Sequence, residues 1–256
     1  MTEPFVVAVS NRKGGTGKTA TAVNVATAWA DQGQATLLVD LDSQGHAGLG
    51  VGIRPERGQA ASQQCLEGHV ALDDAVVASV VPGLDVLPAD TRSSREPDVA
   101  PRALANVLAG SAGRWQRVVV DTPPSAGVML DNALGAAQGV IVPLQPHTLA
   151  AEGVRQLVQI FFRMASGVNP GLEHLAIVPV MLDTRVRLHR RVVEDLARQF
   201  GRFRVLRGVR SDIRIAEAFA AGRPVGRYAP RSRGAMDYTL LVEELATLWG
   251  RDDAAE

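Results

Sequence analysis

Residues 5–19 read FVVAVSNRKGGTGKT: a short apolar run, a glycine-rich turn and the first residues of a helical pattern. The helix that follows, over 18–32, places Val23, Ala26 and Ala30 on one face at helical spacing. Gly33 ends it, and ATLLVDLD (35–42) reads as a second buried strand. Strand, glycine loop, helix and strand in that order form a βαβ unit, whose crossover normally builds a parallel sheet. The same reading predicts strands at 84–87, 117–121, 139–143 and 174–181. It predicts helices over 59–67, 70–79, 98–110, 128–137, 149–166, 188–200, 213–221 and 234–249. Continuous apolar strands alternating with helices imply an α/β fold, a doubly wound, mostly parallel sheet with helices on both faces. With no internal repeat and no low-complexity linker, residues 1–256 are expected to form a single domain. The Pro/Ser/Arg-rich stretch 88–101 reads as a surface loop.

Composition narrows the function. The 256 residues are 46% hydrophobic but only 4% aromatic, so the core is built from Ala, Val and Leu. No run of about 18 apolar residues exists to span a bilayer, and MTEPFVVAVS lacks the basic start of a signal peptide. One cysteine, Cys65, excludes an intrachain disulfide framework and a Cys-rich metal cradle, and fits a reducing cytoplasm. The five histidines, His46, His69, His147, His174 and His189, have no metal-ligand spacing and read as ordinary residues.

NRKGGTGKT (11–19) carries the chemistry. Backbone N–H groups of Gly14, Gly15, Thr16 and Gly17 can wrap phosphates only where no side chain intrudes. Lys18 then reaches the β- and γ-phosphates, and the Thr19 hydroxyl ligates Mg²⁺, the roles these positions take in a P-loop. The strict G-x-x-x-x-G-K-[ST] pattern fails, because Arg12 stands where its first glycine belongs. Instead Lys13 precedes the double glycine, and Lys13 and Lys18 are the chain's only lysines. Asp40 and Asp42 end one apolar strand and Asp121 another, so all three are expected beyond the carboxyl ends of a sheet, beside the phosphates. Helix capping and loop hydrogen bonding remain the alternative for each of these carboxylates.

KGGTGKT resembles the deviant Walker A motif of the ParA/MinD family of the SIMIBI class, with Lys13 as its signature lysine. DLDSQGHAGLGVG (40–52) resembles the family's DxDPQG segment, with Ser43 in place of Pro, and VVVDTPPS (118–125) resembles its Walker B strand. IVPLQPHTLAAEGV (141–154), VMLDTRVRLHRRVVEDL (180–196) and IRIAEAFAAGRPVGRYAPRSRGAMDY (213–238) are similar to later blocks of ParA/Soj-type partition ATPases. The resemblance implies ATP and Mg²⁺ as cofactors and slow ATP hydrolysis stimulated by a partner protein. It implies nucleotide contacts from residues 13–20, that is Lys13, Gly14, Gly15, Thr16, Gly17, Lys18, Thr19 and Ala20, with Arg210 beside the adenine. It also implies Asp42 on the attacking water and Asp40, Asp121 and Thr19 on the metal. Lys13 is implied to cross to the partner's ATP in a nucleotide-dependent homodimer.

Charge is unevenly spread. Between Arg185 and Arg233 stand 14 arginines against four acids, in a chain whose formal charge is zero. That window implies a polyanion-binding face, and without zinc-finger or RNP spacing it implies phosphate contacts on non-specific DNA. The resemblance places those contacts on Arg185, Arg187, Arg190, Arg191 and Arg214, with no N-terminal helix-turn-helix domain. The cargo implied is a plasmid or chromosome centromere complex, or a protein body such as a carboxysome or chemoreceptor cluster. A ParB-like or cargo-adaptor partner goes with it, in a nucleoid-associated, cytoplasmic protein. A MinD-like membrane switch is the alternative, disfavoured by the acidic ending GRDDAAE (250–256). A metabolic ATP-dependent ligase on the same scaffold, such as an amidating synthetase, is a further one.

Overall fold

A computed structural model describes residues 3–250 except 55, 57, 92–94, 96 and 112. In chain order β1 (Phe5–Val9) leads into α1 (Lys18–Asp31) and β2 (Thr36–Asp40), followed by short helices α2 (His46–Gly50), α3 (Ser62–Leu66) and α4 (Leu72–Ala75). Strands β3 (Val77–Ala78) and β4 (Leu84–Leu87), helix α5 (Ala103–Ala109), β5 (Arg117–Asp121), α6 (Val128–Ala136), β6 (Gly139–Leu144) and α7 (Ala150–Gly167) follow. The chain then forms β7 (His174–Pro179), α8 (Arg187–Phe200), a 3-10 turn at Arg202–Arg204, α9 (Ile213–Ala220), α10 (Val225–Tyr228) and α11 (Arg233–Trp249).

The strands join one seven-stranded sheet in the order β3-β4-β2-β5-β1-β6-β7. Every pairing is parallel except β3 with β4. Both faces are covered, which is why the central strands are apolar between their end residues. On one face Val6, Ala8, Val39, Val118, Val120 and Val142 meet α5–α8 through Leu104, Leu130, Leu157 and Leu196. On the other, Val7, Val9, Leu38, Val119 and Ile141 meet α1 and α11 through Ala22, Val25, Trp29, Leu241 and Leu245. In α1 alanines favour the helix while its valines and threonines disfavour it slightly, and burial against the sheet adds to the balance.

Departures from the sequence reading have local causes. The helix expected over 70–79 stops after one turn at Ala75, and Val77–Ala78 pairs antiparallel with Val86 and Asp85 as a sheet edge. An edge strand of two residues has no periodicity to read. The helices expected at 59–67 and 98–110 shorten to Ser62–Leu66 and Ala103–Ala109. On α11 the buried stripe holds Tyr238, Leu241, Val242, Leu245 and Trp249, with Leu248 partly buried beside it. Of the acidic ending GRDDAAE, all but Gly250 lies outside the described residues.

Candidate nucleotide site and basic face

The loop between β1 and α1 lies beside β1, around which the strand order switches direction, at the carboxyl edge where open α/β sheets bind ligands. Gly15 (φ 71) and Gly17 (φ 76) hold left-handed conformations that a side chain would strain. A Cβ on Gly14 or Gly15 would meet no atom within 4 Å, so both backbones face open space. Gly17 starts α1 without a capping side chain. Thr21 is the first residue to bond back, 2.9 Å to the Gly17 carbonyl. The N–H groups of Lys18, Thr19 and Ala20 therefore have no intrahelical acceptor, and the positive end of the helix dipole points with them. Buried Asn11 anchors the loop: its side-chain amide donates to the Pro143 carbonyl on β6 (2.8 Å), and its Oδ1 accepts the Lys13 N–H (3.1 Å).

The three carboxylates divide. Asp40 and Asp121 are register partners at the ends of β2 and β5, both fully buried. Asp40 is spent on its own backbone: Oδ1 accepts the Asp42 N–H (3.0 Å) and Oδ2 the Ala47 N–H (2.9 Å) in the first turn of α2. Asp121 is different, for neither oxygen has a hydrogen-bond partner of ordinary geometry among the described residues. Burial first, and the neighbouring Asp40 second, push its pKa well above the carboxylate range, while the nearby Thr19 hydroxyl and Lys18 ammonium pull it down. Burial likewise pushes Asp40 up to about 7. A buried carboxylate without donors is the arrangement a cation corrects, so Asp121 with Thr19 beside it fits Mg²⁺. The strand ends at Asp40, so Asp42 lies beyond it and does not end the strand as the sequence implied. It sits in a turn, accepting the Gln44 N–H on Oδ1 (3.1 Å).

Asp42 nonetheless lines the same cleft as Gly14–Ala20, a space of about 690 Å³. Its far wall is apolar, with Met181, Val209, Ile213, Ile215 and Phe219. Lys18 is buried at the loop; burial lowers its pKa, while Asp121 and Asp42 hold it up. Arg210 borders the cleft too, but Asp237 clasps it, accepting from its backbone N–H (2.9 Å), Nε (2.9 Å) and Nη2 (2.7 Å). That pair fixes the 209–211 segment against α11. Sequence reading missed Asn11, Asp212 and Asp237, whose work is long-range: Asp212 caps α9 at Arg214 and accepts the Gly234 N–H at α11. No spacing in the chain announces such pairs.

The basic residues also separate. Arg185 donates Nε and Nη2 to Asp183, whose carboxyl it holds far below the usual range, while staying largely exposed; Arg214 pairs with Glu217 (2.6 Å). Arg190 donates to the Thr184 carbonyl (2.6 Å). Arg187 and Arg191 are exposed, with no ion pair or hydrogen bond among the described residues. Arg187, Arg190 and Arg191 share one face at the N-terminal end of α8, whose first turn has no acid and no capping side chain. Cations at the positive end of a helix weaken it, so the fold itself gains nothing from this placement.

The fold and the phosphate loop define a P-loop nucleotide-binding protein. Residues 5–174 match the AAA domain family. The chromosome partitioning protein ParA of Caulobacter vibrioides is 35% identical over 254 residues, covering 94% of this chain and 93% of its own. The chromosome-partitioning ATPase Soj of Thermus thermophilus is 38% identical over 244 residues, covering 93% and 94%. Among solved structures, a cobyrinic acid a,c-diamide synthase from Mycobacterium smegmatis, with bound ADP and magnesium, superposes with a TM-score of 0.80 at 30% identity, covering 96% of both chains. The chain belongs to the ParA/Soj family of partition ATPases. No helix among the described residues is long and apolar enough to cross a membrane.

Proposed function

We propose that this protein is a dimerising ATPase that binds DNA without sequence preference and positions a cargo, with hydrolysis stimulated by a ParB-like or cargo-adaptor partner. The observation that carries this reading is the split between the two lysines. Lys18 is buried inside the cleft beside Asp121, whereas Lys13 is exposed on the rim, outside the cleft its own loop builds. A cation in that position serves a triphosphate held by a second copy, where it offsets the repulsion between two nucleotide-laden faces.

Gly14–Gly17 and the uncapped N–H groups of α1 bind the phosphates, and Lys18 neutralises charge on them. Asp121 and Thr19 hold the Mg²⁺, and Asp40 keeps α2 and the Asp42 turn in place behind them. The ion itself supplies charge neutralisation on the transferring phosphoryl group. Asp42 keeps one oxygen clear of the Gln44 bond and orients the attacking water. The apolar wall of Met181, Val209, Ile215 and Phe219 takes the base, with Arg210 and Asp237 fixing the segment behind it. DNA phosphates meet Arg187, Arg190 and Arg191 on α8; pairing two copies doubles these contacts and makes DNA binding depend on ATP. A centromere complex or protein body as cargo, and the nucleoid as the place of action, complete this proposal; the chromosome-partitioning relatives support the first cargo and the location.

An amidating activity, which the Mycobacterium smegmatis likeness raises, has less support. A glutamine-splitting centre needs a reactive thiolate, and the chain's one cysteine, Cys65, is buried with its thiol pushed up to about 11. The cavity beyond Ser43 and Ser125 holds about 250 Å³, below the roughly 300–1,000 Å³ of ordinary small-molecule sites. The test of the main reading is Lys13→Ala. It keeps nucleotide affinity and loses ATP-dependent dimerisation and turnover; normal ATP-driven dimers by light scattering would refute it.

A further inference from the structure

The exposed ammonium of Lys13 is not idle: its Nζ lies 2.8 Å from Nε2 of His147, in the loop between β6 and α7. The other ring nitrogen, Nδ1, accepts the Leu149 N–H at 3.1 Å, just before the first turn of α7. A neutral imidazole offers one lone pair and one N–H. Two donors, Lys13 and Leu149, therefore compete for a single acceptor, and whichever tautomer forms leaves one of them facing an N–H. The contact holds Lys13 loosely. A doubly protonated ring offers no lone pair and adds a like charge, so it releases Lys13 altogether.

We propose that His147 is a positioning residue that parks Lys13 within its own protomer, and gives it up when the ring is protonated or when a second copy presents its triphosphate. This rests on the reading of Lys13 as the lysine that acts in trans. The charged groups around the ring are few. From the phosphate loop come Lys13 and Arg12, the latter hydrogen-bonded to Gln156. From α7 come Glu152 and Arg155, which pair with each other. The apolar strand β6 contributes none. Burial first and Lys13 second hold the ring below its ordinary value of 6.5. The ring is thus neutral and the contact closed at neutral pH and above, and it opens as pH falls through that lowered value.

Two measurements decide it. Nitrogen NMR titration of the nucleotide-free protein follows the His147 ring directly. Wild type titrates below the ordinary histidine value and Lys13→Ala moves it upward; an unmoved ring in Lys13→Ala overturns the proposal. Dimerisation with a non-hydrolysable ATP analogue is then followed by light scattering at pH 8 and at a lower pH set below the ring's measured value. Wild type pairs more readily at the lower pH, whereas His147→Ala pairs several-fold more readily than wild type at pH 8 and shows little pH dependence. His147→Gln, which keeps an acceptor that cannot titrate, pairs like wild type at pH 8 and does not gain at the lower pH. Wild-type behaviour of His147→Ala at both values overturns the proposal. Should no variant dimerise at all, the trans role of Lys13 fails, and the ring titration still judges the parking contact alone.

Discussion

Replacing Arg187 and Arg191 with alanine removes two cations that no acid among the described residues engages, from the N-terminal end of α8. In an ATP-bound dimer that is four phosphate contacts. Each neutralised phosphate contributes about 0.9 to the slope of log affinity against log salt, so the slope falls by about 3.6. Between roughly 50 and 200 mM salt the advantage of wild type over the double variant then shrinks by roughly 150-fold. The assay is fluorescence anisotropy of a labelled random-sequence duplex, with a non-hydrolysable ATP analogue, across a salt series. Arg114→Ala is the control, since Arg114 is tied to Asp73 and Asp85, and its slope should match wild type. The double variant should also melt no lower than wild type, because the first turn of α8 is relieved of cations at the positive end of its dipole. Parallel salt lines for wild type and double variant would show that α8 does not meet DNA phosphates.

Asp121→Asn removes a buried carboxylate that lacks donors. It should abolish magnesium-dependent turnover yet raise the melting temperature in chelator at pH 8; a lower melting temperature there would contradict the assignment. The same groups set a pH dependence. Asp40 and Asp121 have raised pKa values in the folded protein, so the fold binds protons that the unfolded chain has already lost. Stability in chelator is therefore expected to rise as pH falls from 8 toward 5, and calorimetry with and without Mg²⁺ checks it. Asp237→Ala strips the Arg210 backbone N–H and guanidinium of their acceptor. It should cost about 1–3 kcal/mol in urea unfolding and weaken nucleotide binding, where an unchanged affinity would detach this pair from the cleft. Leu241→Ala, at a fully buried position between α11 and the sheet, should cost about 2–5 kcal/mol while leaving the affinity of the folded protein for ATP unchanged.

The glycine turn, the apolar strands and the two lysines were legible in the chain because each is a local device. A phosphate cradle needs glycines at fixed offsets, and a strand covered on both faces must be apolar throughout. Asp121 was legible for the same reason, as the polar end of an apolar strand. What could not be read is which carboxylate remains available. Asp40 and Asp121 look alike in sequence, and only the turn into α2, which brings two N–H groups onto Asp40 and none onto Asp121, tells them apart. The arginines show the same limit. Composition marks the basic window, but whether Asp183 or Glu217 already occupies a guanidinium depends on where the backbone turns.

His147 marks the boundary most clearly. By spacing it was one ordinary histidine of five, 134 residues from Lys13. The β6–α7 loop becomes a neighbour of the phosphate loop because β6 lies beside β1 in the sheet. Sequence alone determined that this chain builds a phosphate-binding α/β sheet with an extra lysine ahead of its glycines. The tertiary structure decided which side chains each charged group meets, because parallel strand order, set by crossovers through helices, brings together loops that lie far apart along the chain.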